Sequence, residues 1–157
     1  SPACVLHANA AGTRKMTNPL CSGFFTVLSE HWIPQPASCQ DLFQSFAPLL
    51  QMQNDQMRKM GQVLTVYTNW ESSQCNLDGI IGLESHDYIR LASFDPIELL
   101  TPHGCGPQCI NWMKTWNSPT RLSDVFRLAL AAKTGMAYLD TDMLLLNLNP
   151  DTYLTSA

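Results

Sequence analysis

Charge is scarce in this chain. Asp, Glu, Lys and Arg make up 14% of 157 residues, the formal balance is −4, and basic residues never cluster. Without a basic stripe to displace counterions along a phosphate backbone, nucleic-acid binding is not expected. Long apolar runs are also missing: none approaches the ~18–20 residues that a membrane-spanning helix needs. No signal-peptide pattern occurs at the start, which is Ser1 rather than Met. The chain is therefore expected to be a mature piece or a fragment. There is no Asn-x-Ser/Thr acceptor for glycosylation and no internal repeat.

An apolar share of 45% is that of a folded domain rather than a disordered one. Six cysteines, Cys4, Cys21, Cys39, Cys75, Cys105 and Cys109, lean toward an oxidising compartment, with pairings left open. Punctuation by Pro and Gly suggests a loop-like segment over residues 1–23. "FFTVLSE" (24–30), "QVLTVYTNW" (62–70) and "DYIRLASFD" (87–95) read as strands. Residues 38–61 read as a helix capped by Ser38, closed by Lys59 and Gly61, and kinked or split at Pro48. The stretch 70–86 reads as a loop carrying a weak strand or a turn, and 96–120 as a short helix, a Gly/Pro loop and a second helical turn. Strands alternating with helices predict an α/β domain with a mostly parallel sheet flanked by helices.

The last third holds the chemistry. Ser123 reads as an N-cap, Asp124 suits the first turn, and Lys133 and Gly135 suit the end. The residues between are apolar nearly all round, which predicts a buried helix. Asp124 and Arg127, three apart on one face, can pair. The next run, "MAYLDTDMLLL", is predicted as a strand that carries Asp140 and Asp142. Side chains two apart on a strand share a face at roughly 6.6 Å. Two carboxylates placed so repel unless a cation or donors separate them. At the carboxyl end of a parallel strand, where ligand sites form, a hard divalent cation with open positions for phosphate oxygens satisfies them.

Ser123-Asp124, Arg127, Gly135, Tyr138 and then Asp140-Thr141-Asp142, in that order, resemble the sugar-nucleotide segment of DxD glycosyltransferases. The pattern is S-D-x-x-R followed by G-G-x-Y-x-D-x-D. It is most similar to the family with a DxD-containing sugar-binding region, which holds α-1,4-galactosyltransferases, α-1,4-N-acetylglucosaminyltransferases and initiating mannosyltransferases. Met136 stands where the pattern has its second glycine. The specific likeness covers about 30 residues.

The resemblance implies a GT-A-like nucleotide-diphospho-sugar transferase fold over residues 24–157, truncated to its donor-binding part. The activity implied is a metal-dependent, retaining transfer of a hexose or N-acetylhexosamine from a nucleotide-diphosphate sugar to a glycan or glycolipid. UDP-sugar is favoured over GDP-mannose. By the same likeness Asp142 would ligate Mn²⁺ or Mg²⁺, and Asp140 would contact the ribose or the metal's water. Asp124 and Arg127 would hold donor-sugar hydroxyls, with Tyr138 packed beside them and Trp32 stacked on the base. The setting implied is the Golgi lumen, in a parent that is a type II membrane protein.

Two alternatives accompany this reading. One is an inactive remnant of the same fold that acts as an interaction module. The other is a haloacid dehalogenase-like phosphatase, which also ends an apolar strand in Asp-x-Asp, with Asp140 as nucleophile. Cys105 and Cys109 with His103 give a weak zinc pattern, for which a disulfide or free thiols is the simpler reading. Met52, Met57 and Met60 read as helix packing. His7, His31 and His86 have no partner visible in the sequence.

Overall fold

The structure, a computed structural model, describes residues 6–8, 14–16, 23–28, 38–70, 74–116 and 118–143. Trp32, His31, Cys4 and Cys21 lie outside these residues. Where a loop is expected at the N-terminus, β1 (Leu6–Ala8) and β2 (Arg14–Met16) pair antiparallel. The short run Leu6–Ala8 was missed because three residues are too few to show an alternation.

The main sheet holds β3 (Phe24–Val27), β4 (Leu64–Thr68), β5 (Ile89–Ser93) and β6 (Ala137–Tyr138), all parallel, in the order β5-β4-β3-β6. The α/β class with a parallel sheet flanked by helices is thus as expected. The chain builds outward from β3 through β4 to β5, then returns to the far side of β3 as β6. The direction of winding therefore reverses between β3 and β6.

Side-chain alternation sorts the sheet into two apolar faces. Phe24, Leu28, Leu64, Val66 and Leu139 pack on one face with Leu42, Phe43, Leu50 and Met57 of α1 (Cys39–Ser45) and α2 (Ala47–Met60). Phe25, Val27, Met136 and Tyr138 pack on the other with α3 (Pro96–Leu100), α4 (Pro107–Lys114) and α5 (Pro119–Thr134). On this second face Phe25 meets Tyr67 and Tyr138 edge-on at 5.9 and 5.4 Å, and Phe94 meets Phe126 at 5.0 Å.

The helix expected at 38–61 forms and is split at the expected place. Ser38 Oγ accepts from Asp41 N, and α1 ends at Ser45. Pro48, which lacks an N–H, falls in the first turn of α2, where that hydrogen is not needed. Gly61 closes α2 at φ 65°, a left-handed conformation that glycine adopts without a Cβ penalty. Of the three methionines, Met57 is fully buried while Met52 is 46% exposed, so packing accounts for Met57 and not for Met52.

The segment between β4 and β5 lies against α1 and α2 through side-chain amides. Gln40 accepts from Asn76 N and donates to Asn76 O; Gln44 does the same with Ile81. Gln51 accepts from Glu84 N, and Asn54 accepts from Tyr88 N. A Cys39–Cys75 disulfide ties the two parts covalently.

α5 begins earlier than expected. Its N-cap is Ser118, whose Oγ accepts from Arg121 N, and Pro119 takes the first turn. Ser123 lies inside the helix. Nor is α5 buried all round: Leu122, Phe126, Ala129 and Leu130 form the inner stripe, while Leu128 is 71% exposed. Gly135, at φ 70°, ends the helix as expected.

Candidate functional site

The reversal of winding between β3 and β6 opens a crevice beyond the carboxyl ends of those strands, the general place for ligands in open α/β sheets. A cleft of about 240 Å³ occupies it. Val27 at the end of β3 and Leu28 just after it, Phe46 from the α1–α2 joint, Thr120, Ser123, Asp124 and Arg127 from α5, Tyr138 of β6, and Asp140, Thr141 and Asp142 beyond β6 line it.

The two acids do not sit within a strand, as the sequence suggested. β6 pairs with β3 only at Ala137 and Tyr138, and a last bond runs from Leu139 N to Phe25 O at 2.8 Å. Past it the chain leaves β3, which itself runs on to Val27 paired with β4, and turns, with Met143 N bonded to Asp140 O at 3.0 Å. The acids therefore stand at the rim, relieved of the cost of being buried unpaired.

Arg127 organises the acids. Its Nη2 lies 2.8 Å from Asp124 and its Nη1 3.7 Å from Asp140, and its guanidinium lies 5.0 Å from the centre of the Tyr138 ring. Asp124 is thus paired at the helical spacing read from the sequence, and Asp140 joins from 13 positions further along the chain. The side chains of Asp124, Arg127 and Asp140 are 48%, 35% and 46% exposed. Ion pairs so exposed stabilise a fold by roughly 0.2–1 kcal/mol each, too little to explain the cluster as a stability device.

Burial raises the Tyr138 phenol above its usual value, and hydrogen bonding to Asp140 acts in the same direction. Tyr138 therefore stays a neutral donor beside Asp140 at physiological pH. Arg127 is held above its ordinary value chiefly by hydrogen bonding to Tyr138, then by its acidic neighbours, and remains charged.

Two buried residues behind the acids were not singled out from the sequence. Thr26 in β3 shares a hydrogen bond of 2.8 Å with Thr141, the residue between the acids. Gln53 in α2 donates its amide to the carbonyls of Thr141 and Met143. Both show no exposed surface. Their signal was present: Thr26 interrupts an apolar run, and Gln53 lies at i+3 from Leu50 and four before Met57, on the apolar stripe of α2.

Five expected residues, Asp124, Arg127, Tyr138, Asp140 and Asp142, thus converge on one cleft, while Trp32 lies outside the described residues. The zinc pattern is taken up otherwise, since Cys105 and Cys109 form a disulfide and His103 is exposed. His86 does have a partner, Asp78, at 2.6 Å.

The donor set fits a hard cation only in part. No group of three His, Cys, Asp or Glu side chains that would hold a metal occurs among the described residues. Asp142 is exposed and makes no ion pair or hydrogen bond with another described residue, and Asp140 is held by Arg127 at 3.7 Å and by Tyr138. Two carboxylates suit Mg²⁺ or Mn²⁺ of the kind bound by one or two acids together with a substrate's phosphates, rather than a cage made by protein alone.

No family model matches this chain, and neither the curated proteins nor the solved structures include a significant match.

Proposed function

We propose that this chain is the donor-binding part of a metal-dependent glycosyltransferase with a GT-A-like fold. It would move a hexose or N-acetylhexosamine, with retention, from a nucleotide-diphosphate sugar to a glycan or glycolipid. The observation that carries this reading is the convergence of Asp124, Arg127, Tyr138, Asp140 and Asp142 on one crevice where the sheet reverses its winding. In this reading Asp142 and Asp140 hold Mn²⁺ or Mg²⁺ jointly with the donor's diphosphate. A bound cation would supply positive charge where the leaving diphosphate gains negative charge. Asp124 accepts hydrogen bonds from sugar hydroxyls, Arg127 donates to them, and Tyr138 fixes the guanidinium plane.

The Cys39–Cys75 and Cys105–Cys109 disulfides support an oxidising compartment such as the Golgi lumen. No helix among the described residues is long and apolar enough to cross a membrane, so a type II anchor would belong to other parts of a parent protein.

The alternative, a binding or interaction module of the same fold, draws on Met136. It replaces the glycine of the pattern and packs, 7% exposed, in the core between the sheet and α3–α5. Nothing in the cleft favours the phosphatase reading over these two.

Calorimetric titration of UDP, then GDP, with Mn²⁺ and again with chelator tests the proposal. Metal-dependent binding of one nucleotide, lost in Asp142→Asn, is expected. Binding that ignores both the chelator and the substitution sinks the donor-site reading, and transfer of sugar to any acceptor excludes the inactive module.

A further inference from the structure

The loop that presents the two acids is gripped from the opposite side. Ala137 and Leu139 pack on the face that carries α1 and α2, whereas Met136 and Tyr138 pack on the face that carries α5. Thr141 is buried, 8% exposed, and its hydroxyl meets Thr26. Gln53 reaches from the middle of α2 to the carbonyls of Thr141 and Met143. Leu139 and Thr141 are thereby held inside, and Asp140 and Asp142 are left to line the cleft.

Gln53 is costly where it stands. It is fully buried on the apolar stripe of α2, and its Oε1 has no hydrogen-bond partner among the described residues. A leucine or methionine would fill that stripe without leaving a carbonyl oxygen unsatisfied. What a hydrocarbon could not do is donate two hydrogens to the acid loop. The single amide group spends both of its donors there, on one loop.

We propose that Gln53, together with Thr26, is a positioning residue for the Asp140–Asp142 turn. The placement of both carboxylates is then set from the interior of the sheet and not by the residues of the cleft. The consequence for ligand binding rests on the donor-site reading above; the holding of the loop does not. Residues behind metal-binding side chains orient them, and their loss typically weakens metal affinity about 10–100-fold.

The test combines Gln53→Met, which keeps length and removes the donor, with Thr26→Val and Thr26→Ser, which remove and keep the hydroxyl. Amide hydrogen exchange is followed across 139–143 and, as an internal reference, across β4; Mn²⁺-dependent UDP binding is titrated alongside. Gln53→Met and Thr26→Val are expected to speed exchange at Asp140 to Met143 while β4 stays protected, and to weaken Mn²⁺–UDP binding about tenfold or more. Thr26→Ser should restore both. Should Gln53→Met not fold, Thr26→Val with its serine counterpart carries the same comparison. Exchange that is unchanged at 139–143, or that rises uniformly with β4, overturns the proposal. A wild-type chain that binds no UDP defeats the donor reading alone, because loop exchange still judges the positioning.

Discussion

Replacing Arg127 should separate stability from binding. Arg127 makes two ion pairs with half-exposed acids, at 2.8 and 3.7 Å, and lies over Tyr138. Discounted for solvent, those pairs contribute roughly 0.2–1 kcal/mol each, and an exposed cation–π contact about 0.5–1 kcal/mol. Alanine, the better helix former, returns a few tenths. Arg127→Ala should therefore cost about 1–2 kcal/mol, a fall of about 2–8 °C in Tm for a domain of this size. The same change removes the one cationic side chain among the described residues that line the cleft, leaving Asp124 unpaired beside an anionic donor. One lost charge-assisted hydrogen bond, about 1.5–3 kcal/mol, corresponds to about a 10–150-fold loss of affinity. Scanning calorimetry and UDP titration with Mn²⁺ read the two quantities in one preparation. Arg127→Lys should recover part of the affinity, since it restores the charge but not the planar fork. A Tm drop within this range with affinity changed less than twofold would refute the reasoning and leave Arg127 as a structural pair.

Two further predictions follow from burial and connectivity. The phenols of Tyr67 and Tyr138 are both raised above 10.0, primarily by burial, so folding keeps them protonated. Their contribution to stability is complete below the unfolded value and is lost as pH rises through the folded one. Ultraviolet titration should show two late phenolates, one of which disappears in Tyr67→Phe and the other in Tyr138→Phe; a single early transition for all tyrosines would contradict it. The Cys39–Cys75 link spans 36 residues and Cys105–Cys109 only 4. Loop-closure entropy then gives about 4 kcal/mol for the first and about 2 kcal/mol for the second. Double Cys→Ala variants should show the larger Tm loss at Cys39/Cys75, and the reverse order would mean that native-state packing outweighs chain entropy.

Much of the fold was legible because local signals agreed with the tertiary outcome. Ser38, Pro48 and Gly61 mark the ends and the break of the α1–α2 pair with residues whose backbone chemistry allows little else. The start of α5 was misplaced because Ser123-Asp124 imitates a cap one turn further on; Ser118-Pro119, a cap followed by proline in the first turn, was the better signal. The length of β6 was not readable at all. The chain turns away after Leu139 although β3 runs on to Val27, and the groups that hold the turn, Thr26 and Gln53, are remote in sequence. For the site, the spacing of Asp124 and Arg127 foretold their pairing. The approach of Arg127 to Asp140, and of Gln53 to Thr141, spans 13 and 88 residues and depends on topology.

The amide grip on residues 76–85 bears on how this chain tolerates change. Gln40, Gln44 and Gln51 hold that segment by its main-chain N–H and C=O groups, which every residue but proline supplies alike. The side chains of Ile81 and Glu84 are exposed and free to drift, Ile81 at 82%, whereas Asn76 caps the turn that follows by accepting from Asp78 N. Gly79 is fixed as well, since a Cβ there would come within 2.9 Å of the Gln40 amide nitrogen. Variation among natural forms of this chain should thus concentrate on this segment's surface while its path, Gly79, the left-handed Gly82 (φ 89°) and the three glutamines stay put, which makes it a suitable place to attach a label or graft a recognition peptide without disturbing the cleft.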